Sequence, residues 1–330
     1  MVLNDSAEVA WAKLRATRWS PPTPAKHSAE RRETYTFALE QAEQMFRAAA
    51  TVGPATKPLL LFYGLSQAGR AVAAASSELK RPDEWRLVGH GISQIDLTQP
   101  LPQIGVYAGI RGSFVRLSAI LDSPLWTKAE AIPLAALWDL IPENRLHPID
   151  SDHRSRRTPL LLLEHHYNES HPLASADVVY FPPWLLKSDH PGEEFVNYMA
   201  DYPDTHFHSF VRTGDGPAAA PDFTSHLDGW GELIINFEMP DGRPAGPEQR
   251  QAHLMATTRR YNDSLWLFPA LKPAIRSMHP LMSWWAVLHT LSILARYQPA
   301  EWARELAVDL SSHAVPSNGY CRLQSKYYPC

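Results

Sequence analysis

Cysteine is nearly absent from this 330-residue chain: there are two, Cys321 and Cys330, both within the last ten positions. A disulfide framework is therefore excluded as the source of the fold, and a reducing cytoplasm is the natural compartment. Long hydrophobic runs are missing as well. The apolar stretches are broken by Gly, Gln, Arg, Ser or His before they reach the roughly 20 residues a membrane helix needs. The first residues, Met1-Val-Leu-Asn-Asp-Ser-Ala-Glu8, lack the basic start and apolar core of a secretory signal. The expectation is a soluble, cytoplasmic protein with no membrane partner.

Charge of one sign is also lacking. The net charge is −4, so the field of the whole chain does not support a nucleic-acid partner. Lys80-Arg81, Arg154-Ser-Arg156-Arg157 and Arg259-Arg260 are short basic clusters that read as solvated faces. Several catalytic signatures are missing too: there is no Walker phosphate loop, no Gly-x-Ser-x-Gly elbow, no His-Glu-x-x-His, no paired Cys-x-x-Cys and no Gly-x-Gly-x-x-Gly. No repeat of fixed period is visible, which sets aside solenoids and propellers.

What the chain does have is enough apolar material, 45% of its residues, for a sizeable core. Helical spacing occurs at about 5–18 and at 29–50, where Tyr35, Leu39, Ala42 and Phe46 form one stripe. Gly53-Pro54 and Pro58 separate this stripe from a more apolar helix. Between 83 and 240 short β-branched or aromatic runs alternate with Pro and Gly. They predict strands at Trp85–Ile92, Ser113–Ile120, Pro159–His166, Asp177–Phe181 and Glu232–Glu238, with helices near 132–140 and 190–200. The helical period returns from about 248. The partition is an N-terminal helical segment, 1–82, a mixed β-rich middle, 83–247, and a C-terminal helical segment, 248–330, forming one compact unit with the N-terminal helices. The fold class that follows is α+β.

Two apolar helices carry polar residues in a pattern. On the first, predicted over 59–77, Tyr63, Gln67 and Arg70 recur at i, i+4 and i+7; on the second, over 281–297, His289, Ser292 and Arg296 lie on one face. An arginine in so apolar a segment reads as buried, and a buried guanidinium needs either an internal carboxylate or an anionic ligand. His90, between Gly89 and Gly91 at a strand end, joins this set. Gly64, Ala68 and Ala71 read as a face that lets the two helices pack closely.

Other chemistry is less well supported. His165-His166, His171 and His206-Phe-His208 beside Asp204 include a His-x-His pair, but no third ligand is fixed by spacing and no metal site is assigned. Helical ribonucleases need an Arg and a His with about four to six residues between them. Here Arg86 and His90 have three residues between them, whereas Arg81 and His90, and Arg304 and His313, have eight.

Pro58-Leu-Leu-Leu-Phe62-Tyr-Gly-Leu-Ser-Gln67-Ala-Gly-Arg70-Ala-Val-Ala-Ala74, Gly89-His-Gly-Ile92 and His279-Pro-Leu-Met-Ser-Trp284-Trp-Ala-Val-Leu-His289-Thr-Leu-Ser-Ile-Leu-Ala-Arg296-Tyr-Gln-Pro-Ala-Glu-Trp302 together resemble the YaaC-like family of bacterial proteins. The resemblance extends from about residue 8 to residue 316. It implies an intracellular bacterial protein and supplies no reaction, cofactor or catalytic residue. After Pro316 such proteins are expected to continue into an amphipathic helix, whereas residues 317–330 lack helical spacing.

Three function classes follow. The first is binding of an anionic small molecule, such as a nucleotide, through Tyr63, Gln67, Arg70, His90, His289 and Arg296. The second is a diverged helical protein that binds or cleaves RNA, and the third a noncatalytic interaction module. No catalytic residue and no cofactor are assigned.

Overall fold

The computed structural model of the protein describes residues 7–167, 173–203, 208–216, 219–240, 242–307 and 316–317. The chain divides into two units, one formed by Met1–Asp150 with Leu281–Cys330 and the other by Ser151–Pro280. The 83–247 segment is thus shared between them, and of the 248–330 segment only the part from Leu281 belongs with the N-terminal helices.

In the first unit, helix α1 (Ala7–Trp19) stops before Pro21 and Pro22, and α2 (Thr23–His27) is short. Helix α3 (Ala29–Thr51) starts at Ser28, whose hydroxyl accepts from the Arg31 backbone N–H. Tyr35, Leu39, Ala42 and Phe46 are buried along it, as their spacing requires. Helix α4 (Lys57–Ala75) has Pro58 in its first turn, where a missing N–H leaves no bond unmade. It packs on α3, with Gly64 against the Phe46 ring.

Next come α5 (Pro82–Trp85), β1 (Ile92–Ile95), β2 (Gly105–Ala108), α6 (Ser113–Ile120), β3 (Ile132–Pro133) and α7 (Leu134–Asp139), with β1, β2 and β3 in one antiparallel sheet. Two expected strands are corrected here. Trp85 closes a helical turn, because the Glu84 carboxylate accepts from the Lys80 and Arg81 backbone N–H groups and fixes it; the strand begins only at Ile92. Ser113–Ile120 is a helix whose buried residues Phe114, Leu117 and Ser118 have helical spacing.

The second unit is built on β4 (Leu160–Tyr167), β5 (Leu173–Phe181), α8 (Pro183–Leu186), α9 (Pro191–Met199), β6 (His208–Phe210), β7 (Arg212–Thr213), β8 (Ala220–Pro221), β9 (Thr224–Ser225), β10 (Gly231–Glu238), α10 (Pro247–Thr257), β11 (Arg259–Tyr261) and β12 (Ser264–Leu267). Its main sheet has the order β11-β12-β4-β5-β10-β6, with β9 beside β10, and every pairing is antiparallel. Leu233, Ile235 and Phe237 point to one face, where Phe195, Tyr198 and Met199 of α9 and Leu254 of α10 cover them. The β11–β12 hairpin lies in a stretch expected to be helical. Asn262 and Asp263 make its turn with φ of 49° and 59°, the left-handed pair a two-residue hairpin needs.

The chain then returns to the first unit through α11 (Pro280–Tyr297) and α12 (Pro299–Leu306). Trp284 and Trp285 are buried, and the Trp302 indole N–H donates to the Ala55 carbonyl at 3.2 Å. Helices α4 and α11 do meet through side chains: the Phe62 and Trp285 rings lie edge to face with centroids 5.8 Å apart. Their close approach is at Gly69, where an added Cβ would lie 2.7 Å from both Leu117 and Trp285. Gly64 instead faces α3. The architecture is α+β, and among the described residues no helix is long and apolar enough to cross a membrane. The 317–330 stretch, apart from Ser317, lies outside the described residues.

Candidate functional site

The polar residues singled out on α4 and α11 come together in the first unit, on different terms from those expected. Arg70 and Arg296 are exposed, which corrects the expectation of buried guanidinium groups. Each sits at the end of a polar edge that reaches solvent, so neither needed an internal counter-charge to fold. Arg70 turns back along α4 to donate to Gln67 Oε1 at 3.3 Å. Arg296 donates to the Tyr63 hydroxyl at 3.1 Å and lies over its neighbour Tyr297, 5.0 Å from the ring centre. Among the described residues neither arginine has a carboxylate within 4.0 Å.

His90 is carried by a turn rather than a regular element. Gly89 and Gly91 flank it with φ of +74° and +73°, which only glycine adopts without strain. The turn is clamped to the start of α6: the Ser113 N–H donates to the Gly89 carbonyl at 3.0 Å and the Phe114 N–H to the His90 carbonyl at 2.9 Å. Gly112 makes this approach feasible, since a Cβ there would lie 2.4 Å from the Gly91 nitrogen. The His90 ring packs against Phe62 and His289, with centroids 5.5 and 5.1 Å away. Its pKa is lowered, first by lost hydration and then by the charges of Arg296 and Arg70.

His289 is buried and its pKa is pushed down to about 3, mainly by desolvation and secondarily by His90. Its tautomer follows from its neighbours. The Thr290 hydroxyl donates to the Ala286 carbonyl at 2.9 Å, so toward Gln94 it must accept, at 3.1 Å. Gln94 therefore presents its amide nitrogen, and the second N–H donates to His289 Nδ1 at 2.8 Å. A neutral His289 then carries its proton on Nε2, a buried atom without a hydrogen-bond partner. Gln94 and Thr290 were missed in the sequence. Gln94 had a signal: it lies two residues after buried Ile92 and so shares its strand face. Ser292, by contrast, donates to the His289 carbonyl of its own helix at 2.7 Å and plays no part in the cluster.

The cluster is thus rich in donors and poor in acceptors. Both guanidinium groups, the Tyr63 O–H, the Gln67 amide N–H groups and the His289 Nε2–H are donor groups, and the Tyr63 and Gln67 oxygens already accept from the arginines. A cavity of about 420 Å³ opens elsewhere on α4, lined by apolar groups including Trp11, Leu39, Phe46 and Val72, and none of the polar cluster lines it. Among the described residues no three His, Cys, Asp or Glu side chains form a metal-binding group. Of the histidines weighed for metal, His171 and His206 lie outside the described residues, as does Asp204.

A family model for YaaC-like proteins matches residues 4–329, nearly the whole chain, so the chain belongs to the YaaC-like protein family. The matched span includes the 317–329 stretch that lacks helical spacing. No curated protein and no solved structure matches the chain.

Proposed function

We propose that the chain is a cytoplasmic protein that binds an anionic small molecule, with a phosphate-bearing compound such as a nucleotide as the leading class. Arg70 and Arg296 supply the charge, Tyr63 and Gln67 orient the two guanidinium groups, exposed His90 borders them, and buried His289 lies behind His90. The observation that supports this reading is the pairing of two arginines with neutral partners only. A guanidinium held by a hydroxyl or an amide keeps its charge uncompensated, and oxyanions match its fork of donors. Gln67 and Tyr63 belong to successive turns of α4, so the donors extend over more than one oxyanion would fill. That favours a ligand with a second polar group.

Thermal unfolding with inorganic phosphate and a panel of nucleotides, together with native mass spectrometry of the purified protein, tests this. A ligand that binds the folded state alone raises the melting temperature in a concentration-dependent way. The rise is expected in the wild type and lost in Arg70→Met and Arg296→Met. Absence of any shift or retained anion in the wild type would overturn the proposal.

A further inference from the structure

His90 is the group in this cluster able to change its charge near neutral pH. Arginine and tyrosine side chains ordinarily change charge only at far higher pH. His289 is held neutral by burial and by the Gln94 N–H on its Nδ1. We infer that anion capture at this site takes up one proton and that His90 receives it; the inference rests on the anion-binding reading above.

The groups around His90 explain why. Phe62 and Arg70 act on it from α4, and His289 and Arg296 from α11. The glycines of its own turn bring no ionisable group, and the segment packed on that turn carries the exposed Arg111 and Arg116, cations that add nothing in favour of an imidazolium. Among the described residues the charges that act on His90 are those of Arg296 and Arg70, and both disfavour an imidazolium. With the site empty, the two guanidinium charges and the loss of water oppose protonation. A divalent oxyanion bound by those guanidiniums cancels their charge, and in contact with the ring its nearer negative charge favours the imidazolium. The backbone clamp on α6 keeps the ring in place, so the response is a change of proton occupancy rather than of position. By linkage, affinity rises as pH falls, about tenfold per pH unit in the window between the free and the bound pKa of His90.

Sulfate is the suitable probe, because unlike phosphate it does not titrate near neutrality. Calorimetry at about pH 7 in buffers of different ionisation enthalpy counts the protons exchanged. The wild type is expected to take up close to one proton, and His90→Gln to bind sulfate about tenfold more weakly with no uptake. Sulfate binding by the wild type without proton uptake would overturn the inference and leave the anion-binding reading standing. Uptake that persists in His90→Gln would also overturn it, by placing the proton elsewhere. Failure of both sulfate and phosphate to bind removes the reading itself. Should His90→Gln not fold, the imidazole NMR signal of His90 in the wild type gives the same answer: saturating sulfate should raise its titration midpoint, and an unchanged midpoint refutes the proposal.

Discussion

Arg296 reaches the Tyr63 hydroxyl at 3.1 Å across 233 residues of sequence, and this contact joins the solvent edges of the two long apolar helices α4 and α11. Below it, the Phe62 ring packs edge-on against both Trp285 and His289. The polar link therefore sits directly over the apolar seam of α4 and α11. Its partner is neutral, so the guanidinium is oriented without being neutralised.

The first prediction concerns the stability of the arginine variants. Arg70 and Arg296 are exposed and lack carboxylate partners among the described residues. Replacing either by Met should change the unfolding free energy by no more than about 0.5 kcal/mol. Urea denaturation checks this. A loss of about 3–5 kcal/mol, the size expected when one member of a buried ion pair is removed, would contradict the exposure described for them.

Gly69 should tolerate no side chain. Its added Cβ meets Leu117 and Trp285, both buried, and neither can yield without disturbing the core. Gly69→Ala should destabilise the protein by about 1–3 kcal/mol despite alanine's better helix propensity. At Gly64 the nearest atoms are 3.2 Å away in the Phe46 ring, so Gly64→Ala should be milder in the same assay.

The clamp beneath His90 gives a sharper expectation. Gly112 has φ of +126° and would drive a Cβ into the Gly91 backbone at 2.4 Å. Gly112→Ala combines backbone strain with a clash against main chain and should cost about 2–4 kcal/mol. Gly53→Ala, with nothing within 4 Å, serves as the control and should be close to neutral in thermal unfolding.

Acid should weaken the first unit through His289. Its native pKa is about 3 against the ordinary 6.5, so between those values the unfolded chain binds the proton and the native state does not. Stability is then full above about pH 6.5 and falls as pH drops through the window, by about 1.4 kcal/mol per pH unit for one such histidine. In the second unit His279, lowered to about 4 by burial and by Arg259, acts in the same sense. Urea unfolding at a series of pH values from 7 to 5 tests this. His289→Gln should flatten the slope by roughly 1 kcal/mol per pH unit, and an unchanged slope would refute the assignment.

Much of this arrangement was legible in the chain, and the misreadings have identifiable causes. Tyr35, Leu39, Ala42 and Phe46 revealed α3 because one face of a long helix repeats often enough to be counted. Tyr63, Gln67, Arg70, His289 and Arg296 stood out because each interrupts an apolar stripe. Their burial was misjudged because the mean hydropathy of a helix does not say where its narrow polar edge points, and a long arginine stem can lie along apolar surface while its head reaches water. Ser113–Ile120 was read as a strand because eight residues mixing β-branched and apolar types fit either period. The β11–β12 hairpin was overlooked although Asn262-Asp263, between two strand-like triplets, was the turn signal that gives it away. Gln94 could be identified only after β1 had been placed.

The first unit is interrupted in sequence by the whole of Ser151–Pro280, and this sets an order of events during synthesis. Helices α1 to α7 leave the ribosome well before Trp284 and Trp285, the side chains that complete their core. At cellular elongation rates the delay is on the order of ten seconds, nearly all of it spent synthesising the inserted unit. Over that interval the side of α4 that carries Phe62 and Gly69 is without its partner and open to chaperones. A released chain that ends at Pro280 should therefore hold a native second unit beside an unfinished first one.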